Sequence, residues 1–211
     1  MKHSASKPQP QVPSMDRRTF FRQALRRTGE TVVKHADDRA ARRAGHWLRP
    51  PYAIDELEFL LACNRCGDCI PACTHKVIFS LPARLGAQVA GTPALDLLNK
   101  GCHLCDGWPC VAACETGALQ LPANNEEETP LPQLAVASIN TNACIPYLGP
   151  ECGACATSCP VPGALVWEQE RPHINKDKCV GCGLCREACI VSPKAIDITS
   201  NHQKLNAHSA P

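Results

Sequence analysis

The chain has few aromatic residues, no long apolar segment and almost no net charge. Only nine of its 211 residues are Phe, Trp or Tyr, while 19 prolines and 13 glycines indicate that much of the backbone forms loops. The longest uncharged run, residues 129–150, contains four prolines and therefore cannot form a transmembrane helix. The hydrophobic core must be thin, and we expect a fold organised around inorganic groups that is largely unfolded without them.

The short motifs of common enzymes are also missing. The sequence contains no Gly-x-Gly-x-x-Gly dinucleotide fingerprint, no phosphate-binding P-loop and no constellation typical of an activated nucleophile. We therefore predict no catalytic residue and no enzymatic activity, and we expect no nucleic acid among the partners.

Cysteine, by contrast, is abundant, and its sixteen copies form four groups of four with none left over. Motif 1 (Cys63, Cys66, Cys69, Cys73) and motif 4 (Cys179, Cys182, Cys185, Cys189) share the spacing CxxCxxCxxxC. Motif 2 (Cys102, Cys105, Cys110, Cys114) reads CxxCx4CxxxC. Motif 3 (Cys144, Cys152, Cys155, Cys159) reads Cx7CxxCxxxC and is closed by Pro160.

This spacing is typical of [4Fe–4S] clusters. A CxxCxxC turn supplies three thiolates to one cluster, and in two-cluster ferredoxins the fourth cysteine of the motif ligates the other cluster, so that motifs work in pairs. Four motifs therefore predict four [4Fe–4S] clusters in two pairs, with all sixteen cysteines as iron ligands.

Two other uses of cysteine fit the sequence poorly. Disulfide frameworks belong to short secreted chains, and CxxC cysteines packed this densely are poor candidates for bridges that close long loops. Structural zinc takes its ligands as two separated pairs, typically some 12 to 20 residues apart, and the triplets here leave no such gap. Iron remains the favoured metal.

The repeats predict an α+β fold of tandem bacterial-ferredoxin-like modules, rich in loops. Short apolar strands are expected after the motifs, at residues 77–79, 118–121, 164–167 and 195–198, and before motifs 3 and 4, at 136–139 and 173–175. A helix is expected near residues 95–98. The loop glycines Gly67, Gly153, Gly181 and Gly183 are expected where the backbone takes positive φ beside the cluster. His75, His103 and His173 are interpreted as surface or neighbouring residues and not as ligands.

The expected organisation is a basic arm (residues 1–49), a four-cluster body (50–200) and a tail (201–211). Residues 16–49 carry ten Lys and Arg against four Asp and Glu, and residues 16–22 resemble a twin-arginine signal without its apolar segment. The arm could instead form a basic amphipathic helix that contacts a membrane surface or a partner. We expect a cytoplasmic protein, membrane-associated or free, with periplasmic export as the alternative.

With these residues laid out, the chain resembles the NapG/MauM type of ferredoxin-like proteins, which are four-cluster partners of periplasmic nitrate reductase and methylamine-oxidation systems. The resemblance runs from residue 48 to about 198 through Leu48–Arg49–Pro50–Pro51, CNRCGDC at Cys63 and the Pro109–Cys110 pair. The chain differs from NapG-type proteins in lacking an apolar segment after the two arginines. In this respect it is similar to the related cytoplasmic NapF type. The x4 gap of motif 2 is similar to four-cluster subunits of molybdenum oxidoreductases, which implies nested pairing of motifs 1 with 4 and 2 with 3. The residues alone leave adjacent pairing equally open.

Two functions follow as hypotheses. The first is an electron carrier that relays electrons through four clusters from a membrane quinol-oxidising subunit to a terminal reductase, as an accessory of a nitrate reductase-type respiratory system. The alternative is a cytoplasmic, NapF-like interaction or maturation module that holds a partner metalloenzyme.

Overall fold

The computed structural model describes residues 47–122 and 130–200, which we call the first half and the second half. The predicted basic arm with its twin-arginine-like segment, except for residues 47–49, lies outside the described residues, and so do the tail and most of the polar loop at 124–132. Within the two described ranges, no helix has the length and apolar character needed to cross a bilayer.

The first half consists of short elements joined by loops. Their order is α1 (Glu56–Ala62), α2 (Cys69–Ala72), β1 (Ile78–Ser80), a 3-10 turn (Ala83–Leu85), β2 (Pro93–Leu95) and α3 (Pro109–Ala112). β1 and β2 pair antiparallel with Ile78 opposite Leu95. An isolated bridge between Ala53 and Leu119 joins the chain that precedes motif 1 to the chain that follows motif 2.

The second half begins and ends with a strand, and all its strands have four residues. Its elements are β3 (Val136–Ile139), α4 (Ile145–Leu148), β4 (Leu165–Glu168), β5 (Arg171–Ile174), α5 (Leu184–Ala188) and β6 (Ile196–Thr199). β4 and β5 form an antiparallel hairpin between motifs 3 and 4. β3 and β6 pair antiparallel and join the chain before motif 3 to the chain after motif 4. The α+β class is therefore confirmed.

Most of the expected strands form, but two expectations in the first half are wrong. Residues 118–121 contribute only the single bridge at Leu119. The helix expected near residues 95–98 is absent, because β2 ends at Leu95 and a turn follows. The physical reason is tertiary: the Leu95 N–H donates to the Leu48 carbonyl at 2.7 Å and the Asp96 N–H to the Val77 carbonyl at 2.9 Å. These long-range bonds use the donors that a helix would have used.

The main core is as thin as the composition indicates. Phe59 is the single aromatic residue among its buried members, and five cysteines stand among the aliphatic side chains: Cys69, Cys110, Cys155, Cys182 and Cys185. About a quarter of the buried residues of this core are therefore cysteines.

A buried ion pair fixes the beginning of the first half. The Arg49 guanidinium donates to both carboxylate oxygens of Glu56, with Nε at 2.8 Å and Nη2 at 2.6 Å. Its Nη1 donates to the Thr92 hydroxyl at 2.9 Å and to the Pro93 carbonyl at 2.7 Å. The guanidinium also lies 4.5 Å from the centre of the Phe59 ring. This network ties α1, which leads into motif 1, to β2.

Candidate metal centres

Short helices separate the third and fourth cysteines of three motifs. Cys69 begins α2 and Cys73 caps its carboxyl end, while Cys185 lies in α5 and Cys189 caps it. In motif 2, Cys110 lies in α3 and Cys114 follows four residues later. The third and fourth thiols of a motif therefore start from opposite ends of one helical turn, and each can serve a different site.

One cavity in the first half brings together cysteines of two different motifs. Its wall includes four thiols: Cys102, Cys105 and Cys110 come from motif 2, and Cys73 comes from motif 1. The remaining wall is mainly apolar, with Val77, Ile78 and Leu95 among the lining residues. We call these four cysteines quartet 2.

A cavity in the second half repeats the arrangement. Cys179, Cys182 and Cys185 of motif 4 line it together with Cys159 of motif 3. We call this set quartet 4. In each cavity the last cysteine of the preceding motif completes the triplet of the following one.

The other two quartets follow from the neighbours of the remaining thiols. Burial, followed by the thiolates of Cys63, Cys114 and Cys66, raises the pKa of Cys69 to about 12, so Cys114 of motif 2 lies beside the triplet of motif 1. Cys144 and Cys189 belong to one buried cluster of side chains. Burial and the nearby Cys189 and Cys152 thiolates raise the pKa of Cys144.

The motifs are therefore paired with their neighbours in sequence. Quartet 1 is Cys63, Cys66, Cys69 and Cys114, and quartet 3 is Cys144, Cys152, Cys155 and Cys189. Motif 1 exchanges its last cysteine with motif 2, and motif 3 with motif 4. This is the adjacent arrangement and not the nested one that the molybdenum oxidoreductase subunits implied.

Backbone N–H groups converge on the sulfur atoms. Val77 N–H donates to Cys73 Sγ at 3.4 Å and Leu119 N–H to Cys114 Sγ at 3.3 Å, so both exchanged cysteines of the first half accept such a bond. Hydrogen bonds to sulfur are one of the means by which proteins set cluster potentials.

The cysteine loops adopt positive φ at a recurring place. The residue before the second cysteine of CxxC has φ 62° at Arg65, 50° at Leu104 and 69° at Gly181. The positive φ expected of Gly67, Gly181 and Gly183 is confirmed. The same expectation for Gly153 is wrong, because its φ lies outside the left-handed region. Arg65 and Leu104 were not foreseen, because their residue types do not favour this conformation.

Burial keeps many of the thiols protonated when no metal is bound. It raises the pKa of Cys69, Cys102 and Cys185 to about 12, and that of Cys110, Cys155 and Cys182 to about 11. Iron binds thiolates, so loading must displace a proton from each of these groups.

The donor set fits [4Fe–4S] clusters. Each quartet offers four thiols, and all sixteen are free cysteines. Across the two described ranges, no three His, Cys, Asp or Glu side chains come close enough to share a single metal ion. A cubane does not require this, because each of its thiolates binds a different iron atom.

The three histidines within the described residues lie at the surface, as expected. The rings of His75 and His103 are exposed and stacked, with centroids 3.5 Å apart, next to Cys73 and Cys102 of quartet 2. His173 is exposed beside Tyr147, whose hydroxyl lies 3.4 Å from His173 Nδ1. The cavity walls of quartets 2 and 4 already contain four thiols each.

Comparison with known proteins agrees with this donor set. The model of the 4Fe-4S dicluster domain matches residues 136–190, which include motifs 3 and 4. Ferredoxin-type protein NapG of Escherichia coli strain K12 is 31% identical over 202 residues, covering 88% of this chain and 86% of NapG. The chain belongs to the NapG/MauM family of ferredoxin-type proteins.

Other members of the family support the same assignment. The methylamine utilization ferredoxin-type protein MauM of Methylobacillus flagellatus is 30% identical over 213 residues, covering 94% of this chain and 90% of MauM. Ferredoxin-type protein NapF of Escherichia coli strain K12 is 30% identical over 172 residues, covering 79% of this chain and 91% of NapF. No solved structure matches the chain. The protein is thus a ferredoxin-type iron–sulfur protein that holds [4Fe–4S] clusters.

Proposed function

We propose that this protein is an electron relay that holds four [4Fe–4S] clusters in two tandem ferredoxin-like modules, with all sixteen cysteines as ligands. The observation that carries the proposal is the exchange of the last cysteine within each pair of motifs. Two-cluster ferredoxins use the same exchange, which supports two clusters side by side in each half. The proposal assigns no catalytic role to any residue of the protein.

The residues of the chain have separate tasks in such a relay. Three cysteines of one motif would hold each cluster, and the exchanged cysteine of the neighbouring motif would complete its set of ligands. Apolar residues such as Val77 and Leu95 keep water from quartet 2. A bound [4Fe–4S] cluster supplies reversible one-electron chemistry, and the N–H groups at sulfur help to set its potential.

The partners are proposed from the family and from charge. Similarity to NapG favours an accessory role in a nitrate reductase-type respiratory system, between a membrane quinol-oxidising subunit and a terminal reductase. Residues 63–189 carry eight Lys and Arg against twelve Asp and Glu, and each oxidised cluster with its thiolates adds about −2. We therefore propose basic docking surfaces on the partners. The proposed location is cytoplasmic, with membrane contact through the basic arm, and periplasmic export is the alternative.

Anaerobic metal analysis combined with rapid kinetics tests this function. We expect about sixteen irons and sixteen sulfides per chain, together with fast, reversible reduction by a reduced quinol-oxidising membrane fraction and reoxidation by the reductase. A count of about eight irons would overturn the four clusters. Clusters that are present but exchange no electrons with either partner would overturn the relay and favour the NapF-like maturation module.

A further inference from the structure

The two halves are held together along a short backbone contact. Residues 97–102 of the first half run beside residues 182–187 of the second. Cys102 N–H donates to the Cys182 carbonyl at 2.7 Å, and Gly101 N–H donates to the Glu187 carboxylate at 2.8 Å. Arg186 Nε–H donates to the Leu98 carbonyl at 2.9 Å. We call this contact the junction.

Both residues of the central hydrogen bond are predicted cluster ligands. Cys102 belongs to quartet 2 and Cys182 to quartet 4. The junction therefore joins one cluster loop of the first half directly to one of the second.

Glycine allows the two backbones to approach this closely. A Cβ atom on Gly101 would lie 2.7 Å from the Cα atom of Leu184, and one on Gly183 would lie 3.3 Å from the Leu97 carbonyl oxygen. Both glycines are buried. At the Cys102–Cys182 hydrogen bond the connection is made of main-chain atoms, and the Glu187 and Arg186 side chains add to it on either side.

We propose that quartets 2 and 4 are the inner pair, so that the four centres follow the order 1, 2, 4, 3 and not the order of the motifs in the chain. This proposal rests on the proposed relay and gives it a path. A single electron crosses between the halves at the Cys102–Cys182 hydrogen bond, with no bond made or broken. Quartets 1 and 3 are then the outer centres, where electrons enter and leave.

The surroundings of the outer quartets agree with this role. Cys66 of quartet 1 is exposed, and Leu61 on the preceding helix is 79% exposed. Beside quartet 3, Ile190 follows the ligand Cys189 and is 70% exposed, and Leu148 of α4 is 62% exposed. Apolar residues therefore reach the surface next to both outer quartets.

Three variants of the full chain test the order, because each retains two clusters. The first lacks quartets 1 and 3 (Cys63→Ala, Cys114→Ala, Cys144→Ala, Cys152→Ala). The second lacks quartets 1 and 4 (Cys63→Ala, Cys114→Ala, Cys179→Ala, Cys185→Ala). The third lacks quartets 2 and 4 (Cys105→Ala, Cys110→Ala, Cys179→Ala, Cys185→Ala). Each is loaded with iron and sulfide, reduced with dithionite and measured by electron paramagnetic resonance.

We expect the first variant to show magnetic splitting between its two reduced clusters and the other two to show spectra of isolated clusters. Stronger splitting in the second or third variant would overturn the order. An iron count of the unsubstituted protein below four clusters would contradict the proposed function instead, so the two failures can be told apart.

A milder variant tests the junction with every ligand in place. Gly101→Ala inserts a methyl group at the junction, while Arg84→Ala, on the exposed 3-10 turn outside every cysteine motif, is the control. We expect Gly101→Ala to weaken the splitting between the halves, or to lose iron from quartets 2 and 4 first, and Arg84→Ala to do neither. Unchanged splitting in Gly101→Ala, or iron loss that begins at quartets 1 and 3, would overturn the proposal.

Discussion

The two halves hold the same pattern of cysteines by different means. In the second half, five of the eight cysteines are buried and none is exposed, whereas in the first half two are buried and Cys66 is exposed. The second half has two pairs of four-residue strands, and the first has one pair of three-residue strands and two isolated bridges. The first half compensates with α1 and the Arg49 network. Its cluster sites therefore depend more on side-chain contacts and less on a backbone ladder.

Removal of iron should have the largest effect on the structure of the protein. The two halves should lose their iron at different rates. We expect anaerobic chelation to abolish most far-ultraviolet circular dichroism, because the thin core cannot offset the conformational entropy of the chain. Iron should leave in two phases, with quartet 1 first, since Cys66 is exposed. A cooperative thermal transition of the iron-free protein, or release in one phase, would contradict this account.

The next test breaks the side-chain network of the first half. We expect Arg49→Ala to lower the free energy of unfolding by about 3 kcal/mol or more, since it leaves Glu56 buried without its partner. Arg84→Ala, on the exposed 3-10 turn, serves as the control and should stay within about 0.5 kcal/mol. Denaturant titration measures both variants. Equal midpoints for the two would show that the Arg49 network does not support the first half.

A glycine in the second half tests its backbone packing. A Cβ atom on Gly181 would lie 2.1 Å from the Ala135 carbonyl oxygen, and its φ of 69° disfavours alanine as well. We expect Gly181→Ala to cost about 2 kcal/mol or more and to reduce iron occupancy of quartet 4. Arg84→Ala, on the exposed 3-10 turn outside every cysteine motif, should leave stability and iron content near their original values. Similar losses in both variants would mean that close packing at Ala135 is not what the second half requires.

Iron loading should depend on pH in the same way in both halves. Each half contains three thiols whose pKa burial raises to about 11 or 12. Because a thiolate is required, the loading rate should rise between pH 7 and 9, by about tenfold per unit where one deprotonation limits the step. Mössbauer-monitored reconstitution at several pH values checks this, and a rate independent of pH would contradict it.

The cysteine ligands and the strands of the second half could be predicted from the sequence, because both depend on residues that are close together in the chain. The spacing of Cys63, Cys66 and Cys69 is set by the loop that holds them. The apolar residues at 136–139 predicted β3 at the position where the structure has it. The helix expected near residues 95–98 failed because Leu48 and Val77, distant in sequence, bind that backbone. Local pattern does not contain such partners.

The pairing of motifs could not be read from spacing for the same reason. The exchange of Cys73 and Cys114 requires α2 to lie against α3. The exchange of Cys159 and Cys189 requires the corresponding contact between motifs 3 and 4. Neither contact has a local signature. The Arg49–Glu56 ion pair was equally hidden, although both residues lie in the segment that resembles the family.

The exchange of cysteines between neighbouring motifs is the central claim, and two double variants test it most directly. Cys63→Ala with Cys114→Ala removes two ligands of one quartet, whereas Cys63→Ala with Cys73→Ala removes one ligand from each of two quartets that share a motif. Mössbauer spectroscopy of the iron-loaded proteins counts the clusters that keep their original signal. We predict that three of the four proposed clusters keep their original signal in the first variant and that two keep it in the second. Two in the first variant and three in the second would contradict the exchange.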